Sequence, residues 1–323
     1  MDMEKHFIIA EKEAKIRLDK FLKIQFKNFS RAYLQKLIKQ GLVLVNNRAV
    51  KPNYSLAAGD KIGVQITETP TAALILEPDT SIPLEILYED NDVIVINKQA
   101  GLSVHPSQST PKGTLANALL ARYPEIKNVG EDPLRPGIVH RLDKDTSGVM
   151  IAVKNDRAFQ FLKNQFQGRQ AIKKYVALVS DRIKERRGII SEPIGRFKTK
   201  QIVGAKPRKG LRVKKTRPAV TEYEVLKYLD GYTLVAAFPK TGRMHQLRVH
   251  FAFIGHPIVG DQKYGLKKDR LLLNRQFLHA SELTLKLPNG QTKTFKSDLP
   301  ADLKDFLDSD ILLKSRNKRN KHE

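Results

Sequence analysis

Residues 137–148 read GIVHRLDKDTSG and run straight into the apolar VMIAVK. A stretch this dense in charge, set between apolar runs, is where a catalytic loop is expected. Its sharpest member is Asp143. With Arg141 and Lys144 beside it, this side chain stays a carboxylate, available as a nucleophile or a base. For Asp145, Thr146, Ser147 and Gly148, a plain hydrogen-bonded turn is an equally good reading. A second group, PKTGRMHQLRVH at 239–250, passes from a strand through a glycine turn into a helix. Leu247, Phe251 and Ile254 can face the core, which leaves Arg248 partly buried and in need of a carboxylate. Asp143 is the candidate partner. A third group, KKYVALV at 173–179, is a strand with Tyr175 near its start. That ring is either core packing with a satisfied hydroxyl or a surface offered to a ligand.

Other chemistries are removed by what the chain lacks. It has no cysteine, so thiol nucleophiles, thiolate zinc sites and disulfides are excluded. No GxxxxGKS, GxxxxGKT or GxGxxG turn opens a helix, so no ordinary phosphate cradle is present. The eight histidines form no HExxH pair, and His245 and His250, five apart, fall on different sides of a helix. Asp143 and Asp145 are the only close acidic pair in such a setting, fewer carboxylates than a two-metal nuclease gathers. The expectation is chemistry with no metal and no cofactor.

The elements that must position these groups follow from periodicity. Leu18, Phe21, Leu22 and Phe26 share one face of a helix over residues 16–27. Ser30 can cap a second helix with Leu34, Leu37 and Ile38 inside, Arg31, Lys36 and Lys39 outside, and Gly41 at its end. The run LVLV, the turn pair Asn46-Asn47 and Arg48-Ala49-Val50 then make a hairpin. Helix, helix, hairpin is a small basic module at residues 14–66. A linker at 67–83 precedes the second domain at 84–310, where strands are predicted over 84–88, 93–97, 149–153, 175–179, 220–226 and 233–238. Helices are predicted over 115–122, 157–167 and 244–254. Strands that are sometimes adjacent and sometimes helix-separated predict an α+β fold with a mixed sheet.

Charge identifies the partner. Of a net +24, residues 1–64 carry +7, residues 196–217 carry +10 with no acidic residue, and a tail at 311–323 carries +4 and is expected to be disordered. The excess therefore sits in patches around a nearly balanced body, as in a polyanion binder. No amphipathic anchor or lipidation signal accompanies them, which favours nucleic acid over a membrane surface. No apolar run approaches the ~18 residues of a membrane span, and no signal peptide opens the chain. A cytoplasmic monomer is expected.

HRLDKDTSG, KKYVALV and TGRMHQLRVHFAFIGHPIVGDQKYG together resemble, in order, the three signature regions of the RluA family of pseudouridine synthases. The resemblance covers residues 84–299, and the preceding module resembles the alpha-L RNA-binding domain. It implies that Asp143 is the essential catalytic aspartate, Arg248 its ion-pair partner and Tyr175 the ring that stacks on the target base. Arg141 would enter the RNA helix in place of the flipped nucleotide, with His140 beside it on the RNA. Arg31, Lys36, Lys39, Lys206, Arg208, Lys209, Arg212, Lys214 and Lys215 would contact phosphates. The implied reaction is uridine isomerisation in RNA, without cofactor or metal. GLSVHP at 101–106 and GTLANALL at 113–120 look most like the D-type large-subunit (23S) rRNA branch, whose members act on the stem-loop bridging the two ribosomal subunits. Another rRNA position or tRNA is the alternative substrate. A non-catalytic assembly factor and a metal-dependent nuclease are the rival functions. Met244 departs from the family's usual Thr, and Gln99 interrupts its Lys-Pro-x-Gly pattern. The segment at 196–217 is expected to be an arm that orders on RNA phosphates. Deleting it should weaken RNA binding and flatten its salt dependence, measured by titration at several ionic strengths, while sparing the chemistry.

Overall fold

The computed structural model describes residues 3–26, 29, 31–66, 75–197, 200–203 and 216–309. Ser30, Lys206, Arg208, Lys209, Arg212, Lys214, Lys215 and the tail at 311–323 lie outside the described residues, as does the side chain of Arg31. The chain divides into two units, Met1–Ile75 and Leu76–Glu323.

In the first unit, β1 (Met3–Ile8) precedes helices α1 (Leu18–Gln25) and α2 (Arg31–Lys39) and strands β2 (Val43–Val45), β3 (Arg48–Ala49) and β4 (Lys61–Ile66). The sheet order is β1-β4-β2-β3. Asn46 and Asn47 both take left-handed conformations, φ 52° and 60°, the turn that joins two twisted strands most tightly. Leu18, Phe21, Leu22, Leu34, Leu37 and Ile38 are buried between helices and sheet, as the spacing requires. Lys36 and Lys39 are exposed on α2. The opening strand β1 has no clear alternation, and it is held by pairing with β4 rather than by its own pattern.

The second unit runs β5 (Ile86–Glu89), β6 (Val93–Lys98), α3 (Leu115–Arg122), β7 (Ser147–Val153), α4 (Asp156–Gln167) and β8 (Ile172–Ser180). It continues through β9 (Arg187–Ser191), β10 (Ile194–Phe197), β11 (Lys200–Val203), β12 (Thr216–Arg217), β13 (Val220–Leu229) and β14 (Tyr232–Pro239). It ends with α5 (Gln246–Phe253), β15 (Leu278–Lys286), β16 (Thr292–Lys296) and α6 (Ala301–Asp308). Its main sheet is ordered β5-β6-β7-β15-β8-β14-β13-β9, with β16 on β15. The pair β7–β15 is parallel and the others are antiparallel, so the sheet is mixed. One apolar cluster gathers around β6, β7, α3 and α4, a second around β8, β14, α5 and α6. Leu76 and Ile82, within the stretch read as linker, pack against the first of these.

Two features correct the sequence reading. The first is β15, a central strand: His279, Ser281 and Glu282 interrupt its apolar pattern, and a bulge between Ala280 and Glu282 breaks the period. The second is the basic stretch, whose ends are not arm but the small sheet β11-β10-β12. Only residues 204–215 are left for an arm, and these lie outside the described residues.

Backbones of β7 and β15 meet where the charged loop ends. Gly148 sits at φ +116°, and a Cβ there would run into the carbonyl of Ala280. Glycine alone combines that conformation with that approach. Gly148→Ala is therefore expected to destabilise the protein by ~3 kcal/mol or more in chemical denaturation, strain and collision acting together.

Candidate active site

Three carbonyls fix the loop from below. Lys98, at the end of β6, is almost fully buried, and its ammonium donates to the carbonyls of Gln99 (2.8 Å), Leu102 (2.9 Å) and Lys144 (3.0 Å). Burial pushes this lysine down to about 7 against the pull of Asp145 and Asp143. Three acceptors around one nitrogen match the three donors of a charged ammonium, so the cage favours the protonated form. Within the loop, the Thr146 N–H donates to the Asp143 carbonyl at 3.1 Å. Gln276 holds the Thr146 hydroxyl, and Arg275, paired with Asp302 on α6, donates to the Asp145 carbonyl. The DKDTSG run is thus a tied turn, and the tie is what presents Asp143.

Facing it is the β14–α5 turn. Gln246 closes this turn by accepting from the Thr241 hydroxyl (2.6 Å) and the Arg243 N–H (3.1 Å), and it donates to Val220 and Thr221 on β13. Arg248, two residues on, is only 9% exposed at its side chain. Its Nη1 donates to Asp143 Oδ2 at 3.0 Å. Its Nε and Nη2 grip Asp261 at 2.6 and 2.8 Å, a bidentate pair. Asp261 is fully buried and also accepts the N–H groups of Lys263 and Tyr264. Burial pushes the guanidinium down, but the hydrogen bonds and charges of Asp261 and Asp143 outweigh it and raise the group.

His245 is the second neighbour of Asp143, its Nε2 4.0 Å from Oδ2. It precedes α5 in a left-handed conformation, φ 55°, so the five-residue spacing to His250 says nothing about helix faces. Tyr264 receives the Gln201 N–H at its hydroxyl oxygen (3.0 Å) and lies 2.9 Å from His245 Nδ1. This hydrogen bond fixes the orientation of the ring, whose Nε2 faces Asp143. Burial lowers His245 despite the attraction of Asp143, which keeps it neutral near pH 7.

Asp143, Arg248, Tyr175, His245 and Arg141 line one cleft of about 630 Å³, a size suited to a small-molecule or nucleotide guest. Burial and the charge of Asp143 push the Tyr175 phenol up, well above its ordinary range. The group is a neutral ring at any working pH. Arg141 is exposed at the mouth, 3.5 Å from His105 Nε2. His140 does not reach outward as a cation. Its Nε2 accepts the Ile151 N–H at 3.0 Å, its ring stacks on Phe166, and burial with Lys173 nearby lowers it to about 3. His250 is likewise structural, bonded to Thr221 and the Glu192 carbonyl.

Residues 92–253 match the RNA pseudouridylate synthase model and residues 16–62 the S4 domain. An uncharacterized RNA pseudouridine synthase, YlyB, of Bacillus subtilis is 39% identical over 302 residues, covering 93% of this chain and 96% of that protein. The chain belongs to the RluA family of pseudouridine synthases. As a family member it is an isomerase that acts on RNA. Ribosomal large subunit pseudouridine synthase D of Yersinia pestis is 36% identical over 317 residues, covering 93% of both chains. Among solved structures, human RNA pseudouridylate synthase domain containing 1 superposes with TM-score 0.56 at 30% identity, covering 69% of this chain and 86% of that one.

Sequence reasoning placed Asp143, Arg248 and Tyr175 at one site, and the structure brings them to one cleft. It missed Asp261, His245, Tyr264 and Lys98. Asp261 and Tyr264 stood inside the GHPIVGDQKYG run, whose buried aspartate is the signal that a second anion was needed. Lysine cannot fork between two carboxylates as guanidinium does. Arg248→Lys is therefore expected to keep the fold by circular dichroism and lose turnover on RNA by ~10²-fold, the scale of a small misplacement of a reacting group. Undiminished turnover would show that the bridge is dispensable.

Proposed function

We propose that this pseudouridine synthase isomerises specific uridines in large-subunit (23S) rRNA, with Asp143 as the catalytic carboxylate. The observation that carries the substrate is a pairwise match along almost the whole of both chains, S4 domain included, to a protein named for the large ribosomal subunit. A cytoplasmic setting follows from that substrate. Among the described residues, no helix is long and apolar enough to cross a membrane.

The reaction breaks N1–C1′, turns the uracil over and joins C5 to C1′, so it balances without redox partner or energy source. The uridine first leaves its stack at a cost of a few kcal/mol. Stacking on Tyr175 and insertion of Arg141 offset that cost. Arg248 holds Asp143 as an oriented carboxylate, which acts on the sugar or base as nucleophile or as general base. The raised Tyr175 phenol is a poor proton acceptor, which leaves a water or the Asp143 carboxylate to take the C5 proton. Residues Lys36 and Lys39 of the S4 domain, with the basic stretch at 204–215, collect the RNA by its phosphates.

Pseudouridine mapping across rRNA and tRNA, with and without the gene, tests this reading. The expected result is loss of sites confined to large-subunit rRNA, restored by the wild-type gene and not by Asp143→Asn. Loss in tRNA alone would overturn the substrate, and restoration by Asp143→Asn would overturn the catalytic assignment.

A further inference from the structure

Cations around the cleft fall into two classes. Arg135 is matched by Asp132, Lys163 by Glu131, Lys240 by Glu222, and Arg248 by two carboxylates. Among the described residues, Lys173 has no such match. It is half-buried and stands two residues before Tyr175 on β8, so the two side chains share a face and line the same cleft. Burial alone pushes its ammonium below the ordinary lysine range, and no carboxylate counters it. A Cβ placed on Gly242 would be 3.8 Å from Lys173 Nζ, so the ammonium lies against the β14–α5 turn, next to Arg243 in the chain.

Arg243 shows the same imbalance. Its Nε donates to the Pro218 carbonyl at 3.2 Å, while burial and the positive charges of Arg217 and Arg169 lower it. Among the described residues, neither Arg169 nor Arg217 has a carboxylate partner. Arg243 is repelled by Arg217 and Arg169, and Lys173 lines the same partly dry cleft with no carboxylate partner among the described residues; an anion placed between Lys173 and Arg243 relieves both costs. The lining offers a lysine, a strong point-charge ligand for phosphate, and an arginine with most of its donor fork unused. Neutral His140 adds no competing charge.

We propose that Lys173 and Arg243, with Arg169 and Arg217 behind them, bind the phosphodiester adjoining the uridine that enters the cleft. This rests on the reading of the cleft as the uridine site. It assigns to these residues the register of the target nucleotide, because a phosphate held beside Tyr175 fixes where its own base can fall. The outer basic stretches supply affinity anywhere along the RNA, whereas this contact acts at one linkage.

A synthetic stem-loop carrying the mapped uridine is prepared with one uncharged methylphosphonate linkage at a time. Dissociation constants are measured for the wild type, Lys173→Met and Lys173→Arg. Lys173→Met is expected to weaken binding of the unmodified RNA ~10-fold, as loss of a charge-assisted contact does, with Lys173→Arg recovering most of it. Its salt slope should be shallower by about one phosphate contact. At a single linkage flanking the uridine, the methylphosphonate should weaken the wild type to the same degree and add nothing to Lys173→Met. If the two losses add at every linkage, or if Lys173→Met binds as the wild type does, the phosphate site is wrong. Pseudouridine formation by the wild type in the same stem-loop is scored separately, and its absence counts against the enzymatic reading while the coupling still decides the phosphate site.

Discussion

A guanidinium with 9% of its side chain exposed must be surrounded by acceptors, and Arg248 is surrounded by two aspartates from different parts of the chain. Two carboxylates on one cation leave a net negative charge, which burial would normally resist. The three-way arrangement persists because each member is bonded elsewhere. Asp261 takes two backbone N–H groups, and Asp143 sits on a turn tied by Lys98, Arg275 and Gln276. Asp261 satisfies the inner half of the fork, so only Nη1 is left to reach Asp143. Asp143 is thereby held by Arg248 through one oxygen, Oδ2.

That constraint explains why the cleft draws on so many elements. The tied loop follows α3 and enters β7, Arg248 comes from α5, Tyr175 from β8, and Asp261 from the turn that Tyr264 stiffens. The mixed sheet order places β7, β15, β8 and β14 side by side, which is what lets these ends converge. Gly148 marks a tight point of that convergence, where β7 and β15 approach as parallel neighbours immediately after the charged loop. A sheet in which β7 and β8 were direct neighbours would leave no room for β15 and would move Tyr175 relative to Asp143.

Local pattern made much of this legible. The helices α1 to α4 follow from 3.6-residue spacing, and the Asn46-Asn47 turn from its two residues. The partly buried Arg248 was readable because it lies beside Leu247 and Phe251 on a short helix. What could not be read depends on distant partners. The strand β15 carries His279, whose Nδ1 meets Ser147 and whose other nitrogen meets the Ser297 carbonyl, so its polar residue is satisfied only across the sheet. His140 has the composition of an RNA contact, yet the N–H of Ile151 and the face of Phe166 claim its ring. His245 breaks the helical count because its backbone is left-handed, a conformation that no periodicity announces. In His279 and His140, tertiary hydrogen bonding overrode local character.

Under the proposed function, an anionic Asp143 must work on a polyanion. Asp143 repels the phosphates that bring its substrate, and only cations that are not already neutralised can offset this. Of the lysines and arginines that line the cleft, Arg135, Lys163, Lys240 and Arg248 are spent on nearby carboxylates and contribute little field beyond a Debye length of ~8–10 Å. Arg248 is spent twice over. The compensating charge must therefore come from the unmatched group on β8 and the β14–α5 turn, close enough to act inside the cleft, and from the basic stretches at longer range. On the proposed reading the net +24 is divided accordingly: much of it would draw RNA in, while a few uncompensated cations beside Tyr175 would allow the phosphate next to a flipped nucleotide to rest near a carboxylate.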